Sequence, residues 1–350
     1  MNKNKLFNSV VENALDFLKK SINEFETDPK HSVINFHSAT ELFLKSRLVL
    51  EHWTLVVSKK QEPDFDKFNN GDFQSVTIIE SIERLKNILK FTIADEFRES
   101  LNTLTKHRNK MTHFFHEEYD TNNLKLINQS IAREQLIVWY HLNNLLQTSW
   151  NQYYKDWKEK FEEIDKLLKR QREYLKIIFN KFTEGKNNLE VKGLIFSKCN
   201  SCKFKSFGYI FSINKIISGN CHVCDLSEEF LYIICDQCNS KVKFINEGFG
   251  SCQTCSKIYE PEKIAEIIYS TNEERDDFEY QNLPGNCGDC DGNETVVKSS
   301  DETFFCTSCF TVSEEIFSCD WCNSSTTENL ESSSIFGCSQ CNAFSRFDSI

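Results

Sequence analysis

Apolar positions in the first half of the chain recur at the spacing of a helix face. In VVENALDFLKKSINEF they fall at Val11, Ala14, Leu15, Leu18, Ile22 and Phe25, the rhythm of an amphipathic helix with one buried side. Asp28-Pro29 stops or restarts it, because a proline disfavours helical backbone in the residue before it. A second helix is predicted from about His31 to Val57, with a stripe through Phe36, Leu42, Phe43, Leu44 and Leu48. Residues 59–74 read as a loop punctuated by Pro63 and Asn69-Asn70-Gly71. A third helix follows from about Ser75 to Leu89, and a fourth from about Ala94 through the 100s. Residues 122–182, almost free of glycine and proline, form a further helical stretch of one helix or two. Gly185 and Asn187-Asn188 close it.

Beyond residue 198 the pattern breaks into short β-prone pieces at 209–211, 241–244 and 295–297, and an acidic stretch, TNEERDDFEYQNLPG, interrupts them. Charge divides at the same place. Residues 1–198 carry 31 Lys and Arg against 28 Asp and Glu, whereas 199–350 carry 10 against 24. All sixteen cysteines lie in the second part. The chain therefore reads as two different objects joined near residue 195.

Every cysteine belongs to a C-x-x-C pair. The pairs begin at Cys199, Cys221, Cys235, Cys252, Cys287, Cys306, Cys319 and Cys338. No apolar leader follows the first residues and no uninterrupted apolar run is long enough to span a bilayer, so a cytoplasmic, membrane-free setting is expected. Thiols stay reduced there, and paired cysteines are then more often metal ligands than disulfides. A C-x-x-C turn directs two thiolates at one tetrahedral ion, and two such turns close a Cys₄ zinc site. Sequential pairing gives four sets: Cys199, Cys202, Cys221 and Cys224; Cys235, Cys238, Cys252 and Cys255; Cys287, Cys290, Cys306 and Cys309; Cys319, Cys322, Cys338 and Cys341. Cross-brace pairing, first pair with third, is the alternative, since spacing alone does not fix it. Either way about four structural Zn²⁺ ions are expected. His222, inside one pair, is surplus to sixteen thiolates.

These readings give a multidomain fold. An all-α bundle occupies 1–150, with a long helical extension over 151–190. Tandem zinc ribbons follow at 195–258, an acidic linker at 259–286 and two further ribbons at 287–350. Ribbons of this size cannot fold on apolar burial alone, so metal serves as their core. Residues 259–350 hold four basic and nineteen acidic side chains. Such a surface repels phosphate and favours a protein partner. Residues 199–258 could carry a local basic patch around Lys203, Lys205, Lys241 and Lys243.

The helical half contains HRNKMTHFFHEEY, in which Arg108-Asn109-Lys110-Met111-Thr112-His113 matches R-N-x-x-x-H. The second helix adds SATELFLKSRL, with Glu41 and Lys45 one turn apart. Over about residues 5–150 this resembles the HEPN family of RNA-cleaving and RNA-associated helical domains. The resemblance implies a four- to five-helix bundle, an RNA substrate and a homodimer whose two motif copies build one composite site. It also implies cleavage without metal, the ribose 2′-OH attacking the adjacent phosphate to leave a 2′,3′-cyclic phosphate. The side chains suit that chemistry. A histidine titrates near neutral pH and can take the 2′-OH proton, which assigns His113 as base. An arginine holds phosphate bidentately and offsets developing charge, which assigns Arg108. Asn109 would orient either one, and Glu41 and Lys45 would stand behind them. A nuclease fused to a recognition module suits a toxin or antiviral defence effector. The competing expectation is a non-catalytic scaffold in which both halves bind protein or nucleic acid. The aromatic residues Trp139, Tyr140, Trp150, Tyr153, Tyr154 and Trp157 read as packing surface, with dimer contact or base stacking as further roles.

Overall fold

The computed structural model describes residues 3–113, 124–210, 215–246, 250–270, 283–299, 303–330 and 337–341. They divide into two compact units, 1–181 and 182–350.

The first unit is helical. Helix α1 (Lys3–Glu24) packs along α2 (Pro29–Val49), and the face anticipated by periodicity is the buried one, with Val11, Ala14, Leu15 and Leu18 in the core. Asp28 caps α2 by accepting the His31 N–H at 3.2 Å, with Pro29 opening the first turn. The helix ends eight residues before the expected Val57. His52 takes extended backbone (φ −159°, ψ 141°) and begins a 3₁₀ turn at Trp53–Val56, and Val57 then bridges to Ser75.

The expected loop at 59–74 contains a short helix, α3 (Phe65–Asn70). Its punctuation marks the helix ends. Asp64 after Pro63 is the N-cap, and Gly71 closes the C-terminus at φ 77°, a conformation that costs glycine little. Helix α4 (Ile78–Asn87) starts on a reciprocal capping box between Thr77 and Glu80. Helices α5 (Asp95–His113) and α6 (Leu124–Asn144) follow.

The long stretch beyond 122 is broken more often than its composition suggests. After α6 come a π turn (Leu145–Ser149), α7 (Asn151–Tyr154), a 3₁₀ turn (Lys155–Trp157), α8 (Lys158–Leu168) and α9 (Arg172–Val191). Three of the breaks fall on Trp150, Tyr154 and Trp157, each with φ near −110° and ψ near 5–10°. Each ring is buried at that point. Tyr154 Oη lies 2.7 Å from Ser46 Oγ, and Trp157 Nε1 donates to Glu12 at 2.6 Å. Trp139 is fully buried and donates to Asp165. These aromatics fill the core and are not surface for a partner or for bases. Helix α9 runs on through Gly185 and Asn187-Asn188, where an end was expected, and stops only before Gly193 at φ 87°. One interior glycine costs a helix about 1 kcal/mol, too little to end it alone.

The second unit joins four ribbons without a break in packing. The first two share a five-stranded antiparallel sheet, ordered β1 (Ile195–Lys198), β2 (Lys205–Tyr209), β3 (Ile217–Cys221), β4 (Ser227–Ile234) and β5 (Lys241–Ile245). A short pair, β6 (Gly250–Ser251) and β7 (Ile258–Tyr259), completes the second ribbon. The span expected as linker opens with α10 (Pro261–Ser270), whose Ile264, Ala265 and Ile268 are buried. That helix shares one apolar core with Leu231, Ile233, Val242 and Phe244 of the second ribbon and Val297, Phe305 and Phe310 of the third. The third ribbon is built on β8 (Val296–Lys298), β9 (Phe304–Cys306) and β10 (Val312–Ser313). The fourth pairs β11 (Phe317–Ser318) with β12 (Ser325–Thr326) and joins the third through the Asn286 N–H to Ser325 carbonyl bond at 2.7 Å. No described helix is long and apolar enough to cross a membrane.

Zinc centres and the Arg108 cluster

The cysteine turns repeat one backbone device. In seven of them the N–H of the first cysteine donates to the carbonyl five residues on, as from Cys199 to Phe204 and from Cys235 to Ser240, both at 2.8 Å. The residue after the second cysteine swings to positive φ and returns its own N–H to the first cysteine's carbonyl. Lys203 (65°), Asp225 (60°), Asn239 (57°), Ser256 (62°), Phe310 (64°) and Asn323 (58°) all do so. Asp and Asn tolerate that region, while lysine and phenylalanine bear its full steric cost. The turn presents both thiols of a pair to one point.

Four sets of thiols result, each with its four sulfur atoms within 4.8 Å of one another. Pairing is sequential, which settles the cross-brace alternative. The sulfur of the first cysteine faces that of the last and the second faces the third. The distances are 3.6 and 3.6 Å in the first set, 3.6 and 3.5 Å in the second, 3.7 and 3.7 Å in the third, 3.8 and 3.7 Å in the fourth. A tetrahedral ion with Zn–S bonds of about 2.3 Å places its ligands about 3.8 Å apart, so the sets fit zinc. A disulfide needs about 2.05 Å, and all sixteen cysteines are free. Four structural zinc sites follow, each with four protein ligands and no open position for catalysis.

Hydroxyl groups lie against several of the sulfurs. Ser206 Oγ lies 3.2 Å from Cys221 Sγ and Ser240 Oγ 3.1 Å from Cys238 Sγ. Tyr259 donates to Cys235 at 3.1 Å, and this bond draws the thiol down to about 6. In the first set, burial instead pushes the Cys199 thiol up to about 12, so metal must displace a reluctant proton there. His222 belongs to none of the four sets; it stacks on Phe182 at 5.3 Å and meets the edge of Phe196 at 5.5 Å. Of the basic patch, Lys203, Lys205 and Lys241 are exposed, but Lys243 is held by Glu228 at 3.2 Å over the Phe230 ring.

In the helical unit, Glu41 and Lys45 form an ion pair on α2, and Lys45 also donates to Ser75 Oγ at 2.8 Å. Arg108 and Asn109 occupy the last turns of α5, with Arg108 half-buried, Asn109 exposed and an Nη1–H donated to Asn109 Oδ1 at 2.9 Å. His113 ends α5; its side chain lies outside the described residues, as does His116. Between Glu41 on α2 and Thr105 on α5 sits a residue the motif did not flag, His37. It is 4% exposed, one turn before Glu41, and its Nε2 meets Thr105 Oγ1 on α5 at 3.1 Å. Its other nitrogen, Nδ1, is 3.9 Å from Glu41 and lacks a hydrogen-bond partner among the described residues, as does the buried Nε of Arg108. Arg108 is near enough for its charge to disfavour a proton on His37. The one sequence signal for His37 was its place on the Glu41–Lys45 stripe at i, i+4.

No family model, curated protein or solved structure matches the chain.

Proposed function

We propose that the chain is a metal-independent endoribonuclease of HEPN type, with Arg108, Asn109 and His113 as its reacting groups and the zinc ribbons as a recognition or regulatory module. The observation that carries the reading is the state of Arg108. Three other arginines of the unit are committed: Arg47 to Glu51, Arg84 to the Leu55 carbonyl and Arg98 to Asp95. Among the described residues Arg108 has no carboxylate partner. Its one described side-chain bond goes to a neutral neighbour, Asn109, at the exposed end of α5. A guanidinium left in that condition is suited to phosphate.

In the proposed reaction His113 removes the 2′-OH proton and the oxygen attacks the adjacent phosphorus. Arg108 offsets charge on the phosphoryl oxygens as the bond to the 5′-oxygen breaks. A second copy of the motif, supplied by a homodimer through the helical half, provides the acid that protonates the leaving oxygen. Only RNA carries the nucleophile. A role as toxin or defence effector rests on the resemblance alone. The acidic ribbons at 287–350 suit a protein partner better than nucleic acid.

The test is incubation of the full-length protein with mixed RNA. Arg108→Ala should lower cleavage about 10²–10³-fold and His113→Ala about 10²–10⁴-fold. Products should end in 2′,3′-cyclic phosphate, a 2′-deoxy nucleotide at the cut should block the reaction, and brief EDTA treatment should leave it unchanged. Intact RNA in every condition would favour the scaffold reading; cleavage that survives His113→Ala would move the active site elsewhere.

A further inference from the structure

The seam between α2 and α5 leaves two complementary groups unsatisfied. The Thr105 hydroxyl donates to the Leu101 carbonyl at 2.8 Å. Having one proton, it can only accept from His37, so Nε2 of His37 carries the hydrogen across the 3.1 Å contact. Burial keeps the ring neutral, with a pKa of about 4. The proton inventory then leaves Nδ1 as a bare lone pair facing no donor among the described residues. On the α5 side, Arg108 Nε is a buried N–H with no acceptor among the described residues, while Nη1 donates to Asn109. Thr105 and Arg108 are three residues apart on α5, hence on neighbouring turns of one face. An orphaned acceptor beside Thr105 and an orphaned donor one turn further along the same face of α5 are the two halves of one hydrogen bond. Each left buried and unmade is costly.

We propose that His37 is the positioning residue for Arg108: when phosphate draws both Nη groups away from Asn109, the guanidinium turns and its Nε–H docks on His37 Nδ1. Thr105 fixes the imidazole tautomer from behind. Glu41, paired with Lys45, lies 3.9 Å from the same Nδ1. The bond directs both Nη atoms outward as a fork, the geometry a phosphoryl group requires. His37 touches no reacting atom. Its catalytic consequence rests on the ribonuclease reading, but the pairing itself does not.

The experiment uses full-length protein with ¹⁵N-labelled arginine, the Arg108 Nε–H resonance being assigned by its loss in Arg108→Lys. The probe is a 2′-deoxy-substituted oligonucleotide, which carries phosphate and resists cleavage. Wild-type protein should show a sharp, slowly exchanging Nε–H on addition of the probe. His37→Phe should lose that protection, while His37→Gln, whose amide can donate to Thr105 and accept from Arg108, should restore it. In parallel, His37→Phe should lower kcat about tenfold with KM little changed, as expected for a lost orientation of a bound group, and His37→Gln should recover most of it. Protection equal in wild type and His37→Phe would overturn the proposal, as would loss of protection in both variants. Should wild-type protein cleave no RNA, the ribonuclease reading falls and the resonance alone decides the His37–Arg108 pairing.

Discussion

Burial in the α2–α5 seam lowers the His37 pKa from 6.5 to about 4, the Glu41 charge opposing the shift and Arg108 and Lys45 adding to it. A folded-state pKa below the unfolded value means that the unfolded chain binds the extra proton between the two. Stability from this residue is therefore full above pH 6.5 and declines as pH falls toward 4. The shift corresponds to about 3 kcal/mol in all, of which on the order of 2 kcal/mol is lost between pH 6.5 and 5. Urea unfolding of the helical unit should show that loss in wild type and not in His37→Gln, whose side chain does not titrate. Equal pH slopes in the two proteins would mean that His37 does not titrate in this way. His37 also shows what the sequence withheld at this scale. A histidine four residues before a Glu–Lys pair is common on any helix surface. Only the position of Thr105, 68 residues away in sequence, turns it inward and fixes its tautomer.

Among the elements, legibility followed how local the cause is. The buried stripe of α1, the cap at Asp28 and the eight cysteine turns depend on residues within one or two turns of each other, and all are visible in the chain. Helix breaks at Tyr154 and Trp157 are set by partners on α2 and α1, Ser46 and Glu12, more than a hundred residues away. No local signal marks them. The end of α2 at Val49 depends likewise on the Val57–Ser75 bridge. The positive-φ residue after the second cysteine of the described turns was hidden for another reason: only some turns use Asn or Asp, and Lys203 and Phe310 disguise the pattern. A β-branched side chain fits that region worst. Lys203→Val should therefore weaken the first zinc site, leaving about three ions per chain under a mild chelator that spares four in the parent, whereas Lys203→Gly should hold all four. Equal retention in the two variants would show that the turn is not what holds the ion.

For the whole molecule, the cysteine arithmetic gave the number of zinc sites but not their connection. Four separate ribbons, each with a metal core, would lose zinc independently. The structure instead links the first to the second by a shared sheet, the second to the third by α10 and one apolar core, and the third to the fourth by backbone bonds at Asn286. Two ligands, Cys235 and Cys252, are themselves part of that apolar core, so emptying the second site removes packing from the third ribbon as well. Strong chelation of the full-length protein should thus release zinc from the second and third sites together. Single substitution of Cys235 by Ser should loosen the third site more than the first, whose own ligands lie outside that core. The helical unit contains no cysteine and keeps its core of Phe43, Trp139 and Tyr154 without metal. Far-ultraviolet circular dichroism should consequently retain most of its helical signal while four zinc equivalents leave. A helical signal that falls in step with zinc release would mean that the two units are not energetically separate, and stepwise, independent loss of all four ions would mean that α10 does not couple the ribbons it joins.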